Sequence, residues 1–157
     1  MTDRLRLEHV GIERARALLA GDLSALEPWQ AGRGWPHADS MDGIRISLED
    51  ADSDEETPFL ALLPDTLEVV GEGGWKGGPG PDGVAEIGYG LAQAYRGQGL
   101  GTELIRGLTA WAFSQSGTTQ VVAEVLADNT PSRRALERNG YVLTHVDDPY
   151  VWYAFPA

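Results

Sequence analysis

The sequence predicts an α+β fold: a mixed, mostly antiparallel central sheet with helices on both faces. Three observations lead there. Short apolar runs bounded by Gly, Pro, Asn or Asp recur along the chain and read as strands. Helix-period runs are interspersed among them without strict alternation. Residues 84–114 form one continuous unit, an apolar strand joined by a glycine-rich turn to an amphipathic helix, and a Val-rich strand follows at 119–126.

In chain order, residues 4–8 alternate Leu5 and Leu7 with charged side chains, the period of a first strand. Ile12, Ala15, Leu18 and Leu19 have helical spacing, and Gly21 ends that helix. Residues 21–36 carry Pro28, Trp29, Gly32, Gly34, Trp35 and Pro36, a loop composition. Met41, Ile44 and Leu48 predict a second helix beginning near Pro36 or His37. Residues 51–57 read as an exposed acidic turn and 59–63 as a compact apolar strand. Residues 67–75 are a further strand, loosened by Gly71, Gly73 and Gly74, and 77–83 a mobile hairpin loop. Leu100, Leu104, Leu108 and Trp111 predict a helix over 99–114. Thr130 as N-cap and Pro131 at the first helical position open a short helix that Asn139-Gly140 closes. Residues 141–146 and 150–155 are the last strands, with a turn at Asp147-Asp148-Pro149. No internal repeat or linker appears, so 1–157 is expected to be a single domain.

Composition narrows the function. With 42% hydrophobic residues the chain can bury a real core, and with no Cys it has neither a disulfide framework nor a thiolate metal site. Three His without periodic carboxylate partners predict no metal. No apolar run reaches the ~18 residues of a membrane span, and the charged start Met1-Thr2-Asp3-Arg4-Leu5 lacks a signal core, so a cytoplasmic location is expected. The net charge of −12 is uneven: residues 39–86 hold 13 acidic and 2 basic residues, whereas 93–140 hold 4 acidic and 5 basic. Such a chain is a poor partner for nucleic acid, and with no apolar span no membrane partner is expected. Solubility accounts for the acidity in one reading; attraction of a cationic amine accounts for it in the other.

The turn Tyr95-Arg96-Gly97-Gln98-Gly99-Leu100-Gly101-Thr102 places three alternating glycines at a helix start. Backbone N–H groups there face the positive end of the helix dipole, a phosphate site that side chains would obstruct. It is not a P-loop, because no Lys-Ser/Thr pair follows Gly101, and it is not a dinucleotide fingerprint, because Thr102 stands where the third glycine belongs. The pattern Arg96-x-x-Gly99-x-Gly101 resembles the coenzyme A pyrophosphate loop of the GNAT superfamily of N-acetyltransferases, and so do the flanking elements. Asn129-x-x-Ser132 followed by Gly140-Tyr141 is similar to that family's Asn-x-x-Ala/Ser ending in Gly-Phe/Tyr. The resemblance is strong over 84–142 and closest in pattern to the ribosomal-protein N-acetyltransferase branch.

The resemblance implies the acyl-CoA N-acyltransferase fold, acetyl-CoA as acetyl donor, an amine acceptor and direct attack in a ternary complex. A homodimer is compatible with it. It implies cofactor contacts at Tyr89, Gly90 and Leu91, whose backbone pairs with the pantetheine arm, at the loop residues Arg96, Gly97, Gln98, Gly99, Leu100, Gly101 and Thr102, and at Asn129. An ammonium of pKa ~8–10 must lose a proton first, and Glu124 and Glu86 are the candidate bases. Glu124 lies five before Asn129, the base position of the ribosomal-protein branch; Glu86 is a carboxylate inside an apolar strand. Each also fits a charge on a solvated strand face. The family's usual acid is a Tyr where this chain has Leu136, and Ser132 resembles the alternative acid. Trp29, Trp35 and His37 fall in the segment that covers the acceptor in this family, with core or lid packing as the competing reading and, for His37 and His145, a surface or capping role rather than a catalytic one. A non-catalytic acyl-CoA-binding or sensory module is the alternative to an enzyme.

Overall fold

A computed structural model describes residues 4–49 and 51–156; the charged start at Met1-Thr2-Asp3 lies outside the described residues. Eight strands form one mixed, mostly antiparallel sheet: β1 (Arg6–His9), β2 (Gln30–Ala31), β3 (Phe59–Leu63), β4 (Glu68–Gly77), β5 (Val84–Leu91), β6 (Gln120–Leu126), β7 (Val142–Asp147) and β8 (Tyr150–Phe155). The order is β1-β3-β4-β5-β6-β8-β7, with β2 beside β4. Helices α1 (Ile12–Leu19), α2 (Ser40–Leu48), α3 (Leu100–Ser114) and α4 (Thr130–Arg138) cover it.

The period of two in β3 creates two cores. Phe59 and Ala61 join Leu104, Leu108 and Leu136 under α3 and α4, while Leu60 and Leu62 join Leu18 and Ile44 under α1 and α2. The helices therefore lie on both faces, as the apolar periods predict. Among the described residues no helix is long and apolar enough to cross a membrane.

Local departures from the sequence reading have tertiary causes. Helix α2 starts at Ser40, not near Pro36 or His37. The preceding segment is drawn inward by Trp35, which is 4% exposed, and the Ser40 hydroxyl accepts the His37 backbone N–H at 3.1 Å. The loop 21–36 contains β2 and a 3-10 turn at Leu23–Leu26. The acidic turn is exposed only in part. Thr57 is fully buried, its Oγ1 accepting from Gly11 N at 3.0 Å, and Asp54 Oδ1 accepts from Ile12 N at 2.9 Å. Helix α1, which has glycine at its N-cap, thus borrows its first acceptors from a segment some forty residues on.

Helix α4 is capped by Asn129 rather than Thr130. Asn129 Oδ1 accepts from Ser132 N at 3.3 Å, and Pro131 sits one position later than expected. Asn129→Ala should therefore lower stability by about 1 kcal/mol, the usual value of an N-cap, while Asn129→Asp should retain it. Urea denaturation of the two variants checks this.

Candidate active site at a fork in the sheet

β5 and β6 run parallel, and their pairing covers only Val84↔Gln120, Ala85↔Val121 and Glu86↔Val122. Beyond that point β5 stays with β4 as far as Leu91, and β6 stays with β8 as far as Leu126. The sheet forks at the C-terminal ends of two parallel strands, where ligands of α/β sheets collect. The N-termini of α3 and α4 flank the opening. A cleft of about 1090 Å³ runs through it.

The glycine loop forms one end. Gly97 and Gly99 hold φ of +77° and +83°, conformations that L side chains avoid, and Gly99 is the left-handed N-cap of α3. Nothing lies within 4 Å of where a Cβ would sit on Gly97 or Gly101. The loop is braced from behind by Arg4, whose Nη1 donates to Gln98 O at 2.6 Å and whose Nε pairs with the buried carboxylate of Glu103. Arg96 Nε donates to Leu91 O at 2.9 Å and fixes the turn to the strand.

Of the expected cofactor residues, Tyr89, Gly90, Leu91, Arg96, Gly97, Gly99, Gly101, Thr102 and Asn129 line the cleft. Gln98 and Leu100 do not: the Gln98 carbonyl is turned to Arg4, and Leu100 is 3% exposed in the main core. Arg134 and Arg138 of α4 also line the cleft, whereas Arg133 is tied inward to Ala127 O and Tyr153. An open β-edge, a bare glycine loop and three arginines suit an extended, phosphate-bearing ligand such as coenzyme A.

The opposite end is acidic. Asp39, Asp42, Glu72 and Glu124 line it. Lys76 Nζ lies 3.3 Å from both Glu124 Oε1 and Glu86 Oε2, so one ammonium on β4 ties β5 to β6 where they begin to part. Burial works against the Lys76 charge, but the two carboxylates prevail and hold its pKa above the ordinary value. Glu124 reaches the cleft; Glu86 is not on its wall.

Ser132 lines the cleft, and its Oγ is 2.6 Å from the Tyr89 hydroxyl. Burial pushes the Tyr89 phenol far above its usual range, so it stays neutral and keeps its proton. Leu136, at the family's tyrosine position, is fully buried in the main core.

Of the three expected acceptor-side residues only His37 lines the cleft. Trp29 packs on the second core with the Arg14 guanidinium 4.3 Å above its ring, and Trp35 is buried there, its Nε1 donating to Glu72 Oε1 at 2.9 Å. Glu72 is the residue the sequence reading missed. It is 4% exposed in the middle of β4. Its signal in the sequence is a carboxylate inside an apolar strand, masked by Gly71 and Gly73 on either side, which read as a loosened backbone.

The Acetyltransferase (GNAT) domain family matches residues 4–142 of this chain. YjdG, an uncharacterized N-acetyltransferase of Bacillus subtilis strain 168, is 27% identical over 155 residues, 95% of this chain and 92% of its own length. Among solved structures, an acetyltransferase from Agrobacterium tumefaciens strain C58 superposes with a TM-score of 0.66 at 24% identity, covering 100% of this chain and 93% of its own. RimL, a ribosomal L7/L12 α-N-protein acetyltransferase solved with coenzyme A, superposes at 0.64 with 18% identity, covering 98% and 94%. The forked sheet, the glycine loop at α3 and the family match agree: the chain belongs to the GNAT family of acetyltransferases.

Proposed function

We propose that the protein transfers an acetyl group from acetyl-CoA to a primary amine by direct attack in a ternary complex. The observation that carries this reading is the fork: an unpaired β5 edge leading from a phosphate-accepting loop into an acidic pocket. Gly97, Gly99, Gly101 and Thr102 and the arginines Arg96, Arg134 and Arg138 hold the pyrophosphate end. The backbone of Tyr89, Gly90 and Leu91 pairs with the pantetheine arm as an added strand, and Asn129 contacts it from the α4 side. Bound acetyl-CoA supplies the acyl group already activated as a thioester. Backbone donors in the fork stabilise charge that develops on the acyl oxygen, and Ser132 donates a proton to the departing sulfur. Coenzyme A in the RimL structure and the chain's family membership support this reading.

The acceptor is a cationic amine. The cleft is basic at the loop end and acidic at the α2 end, so the anionic donor and the cationic acceptor each find complementary charge. A dicationic amine should accordingly exceed a zwitterionic one in kcat/KM, and its advantage should shrink as salt rises and the Debye length falls from ~10 Å at 0.1 M to ~3 Å at 1 M. Steady-state rates at both salt levels, with acetyl-CoA saturating, check this. Equal salt responses would reduce the acidity to a solubility device. The donor half is tested separately by titrating the free protein with acetyl-CoA: a rise in Tm is expected, and its absence would contradict the reading.

A further inference from the structure

Glu72 calls for an explanation that neither the loop nor the family match provides. A carboxylate buried to 4% exposure in a central strand is costly unless it is paired. Its Oε1 accepts from Trp35 Nε1, and its Oε2 lies 3.3 Å from His37 Nε2. Among the described residues no lysine or arginine pairs with it, in contrast to Glu86 and Glu124, which already share Lys76.

The pair also faces the reacting region. Glu72 is in register with Gly90 of β5, inside the unpaired segment. A Cβ on Gly90 would collide with Glu72 Oε2 and stand 2.8 Å from His37 Nε2. A bare backbone at this position lets a carboxylate and an imidazole approach the edge of the fork, and both line the cleft. His37 Nε2 is buried 3.3 Å from Glu72 Oε2, an ion-pair contact whose geometry is not that of a formed hydrogen bond and which tightens when the ring is protonated. Nδ1 makes no hydrogen bond among the described residues and is the nitrogen left to take a proton.

We propose that His37 is the general base of the transfer and that Glu72, held by Trp35, is its positioning residue. This rests on the amine-transfer reading above. Nδ1 of the neutral ring takes a proton from the acceptor ammonium, which becomes the free amine; the ring becomes imidazolium and Glu72 balances its charge through Nε2. The groups facing His37 are Glu72 on β4, Arg96 before α3 and Asp39 before α2. The Glu72 contact raises the ring's pKa above its ordinary 6.5 despite the opposing effects of burial and Arg96, and Asp39 adds to the rise. Because the neutral ring is the working form, activity should fall as pH drops through this raised value.

Two measurements test the pair. In the free protein, NMR titration of the imidazoles should show His37 titrating above 6.5, and Glu72→Gln should move it down. An unmoved His37 would overturn the assignment, whatever the acceptor. In turnover with acetyl-CoA and a panel of alkyl amines, diamines and Ala- or Ser-initiated peptides, His37→Gln should lower kcat by about 10²-fold or more at neutral pH, with acetyl-CoA affinity by calorimetry unchanged. The acid limb of kcat/KM should vanish in His37→Gln and shift to lower pH in Glu72→Gln. His145→Gln, at an exposed ring stacked on Trp152, is the control and should change nothing. Full activity in His37→Gln would sink the base and leave the transfer reading standing. Failure of the wild type on every amine would count against the transfer reading, while the NMR titration still decides the pair.

Discussion

Gly101→Glu should abolish acetyl-CoA binding while leaving the fold intact or slightly more stable. Gly101 is the second residue of α3, lines the cleft and has open space where a Cβ would sit. A glutamate there gains about 0.5–1 kcal/mol of helix propensity over glycine and suits the positive end of the helix dipole. The same carboxylate would occupy the place expected for the pyrophosphate. Gly99→Glu, the change the loop motif suggests first, is a poorer test. Gly99 has φ +83°, and its side chain would meet Arg4 Nη2 at 2.8 Å, so strain and a new ion pair would cloud the result. For Gly101→Glu, calorimetry should show acetyl-CoA affinity reduced about 100-fold or more, equivalent to ~2.7 kcal/mol, with Tm equal to or above wild type. Undiminished affinity in the folded variant would remove the loop from the site.

Ser132→Ala should lower kcat by about 10²-fold with little change in KM for acetyl-CoA, the low end of general acid catalysis because a thiolate of pKa ~8.5 is already a fair leaving group. Tyr89→Phe should show a smaller loss in kcat. Its neutral phenol lies 2.6 Å from Ser132 Oγ, either hydroxyl can donate across that contact, and with the phenol donating the serine proton is free to face the cleft. The two hydroxyls act as one unit, so the double variant should be no slower than Ser132→Ala. Initial-rate kinetics at saturating acetyl-CoA check all three variants. Full kcat in Ser132→Ala would leave the sulfur without an acid from this chain.

The parts of the site built by local geometry were legible in the sequence. Alternating glycines before a helix-period run demand left-handed turns at a helix start, and Gly97 and Gly99 adopt them. Asn129 could be placed by its spacing, although its capping role displaced Thr130 because an Asn side chain at that point reaches Ser132 N. The acceptor side depends on distant strands and was less legible. Trp35 and Trp29 fit pocket aromatics by position, but Trp35 is buried in the second core and the partly buried Trp29 packs against it. Lys76 meets Glu86 and Glu124 only once β4, β5 and β6 are neighbours. Glu72 and His37, 35 positions apart, meet only because Trp35 draws its loop onto β4.

The central claim, that this fork performs acetyl transfer rather than merely binding a thioester, rests most directly on thiol release. The wild-type protein should liberate coenzyme A from acetyl-CoA at a rate that depends on added amine, with one N-acetylated product detected by mass spectrometry per thiol released. Tight binding of acetyl-CoA with no amine raising thiol release above the amine-free rate would contradict the account and identify the protein as an acyl-CoA-binding module.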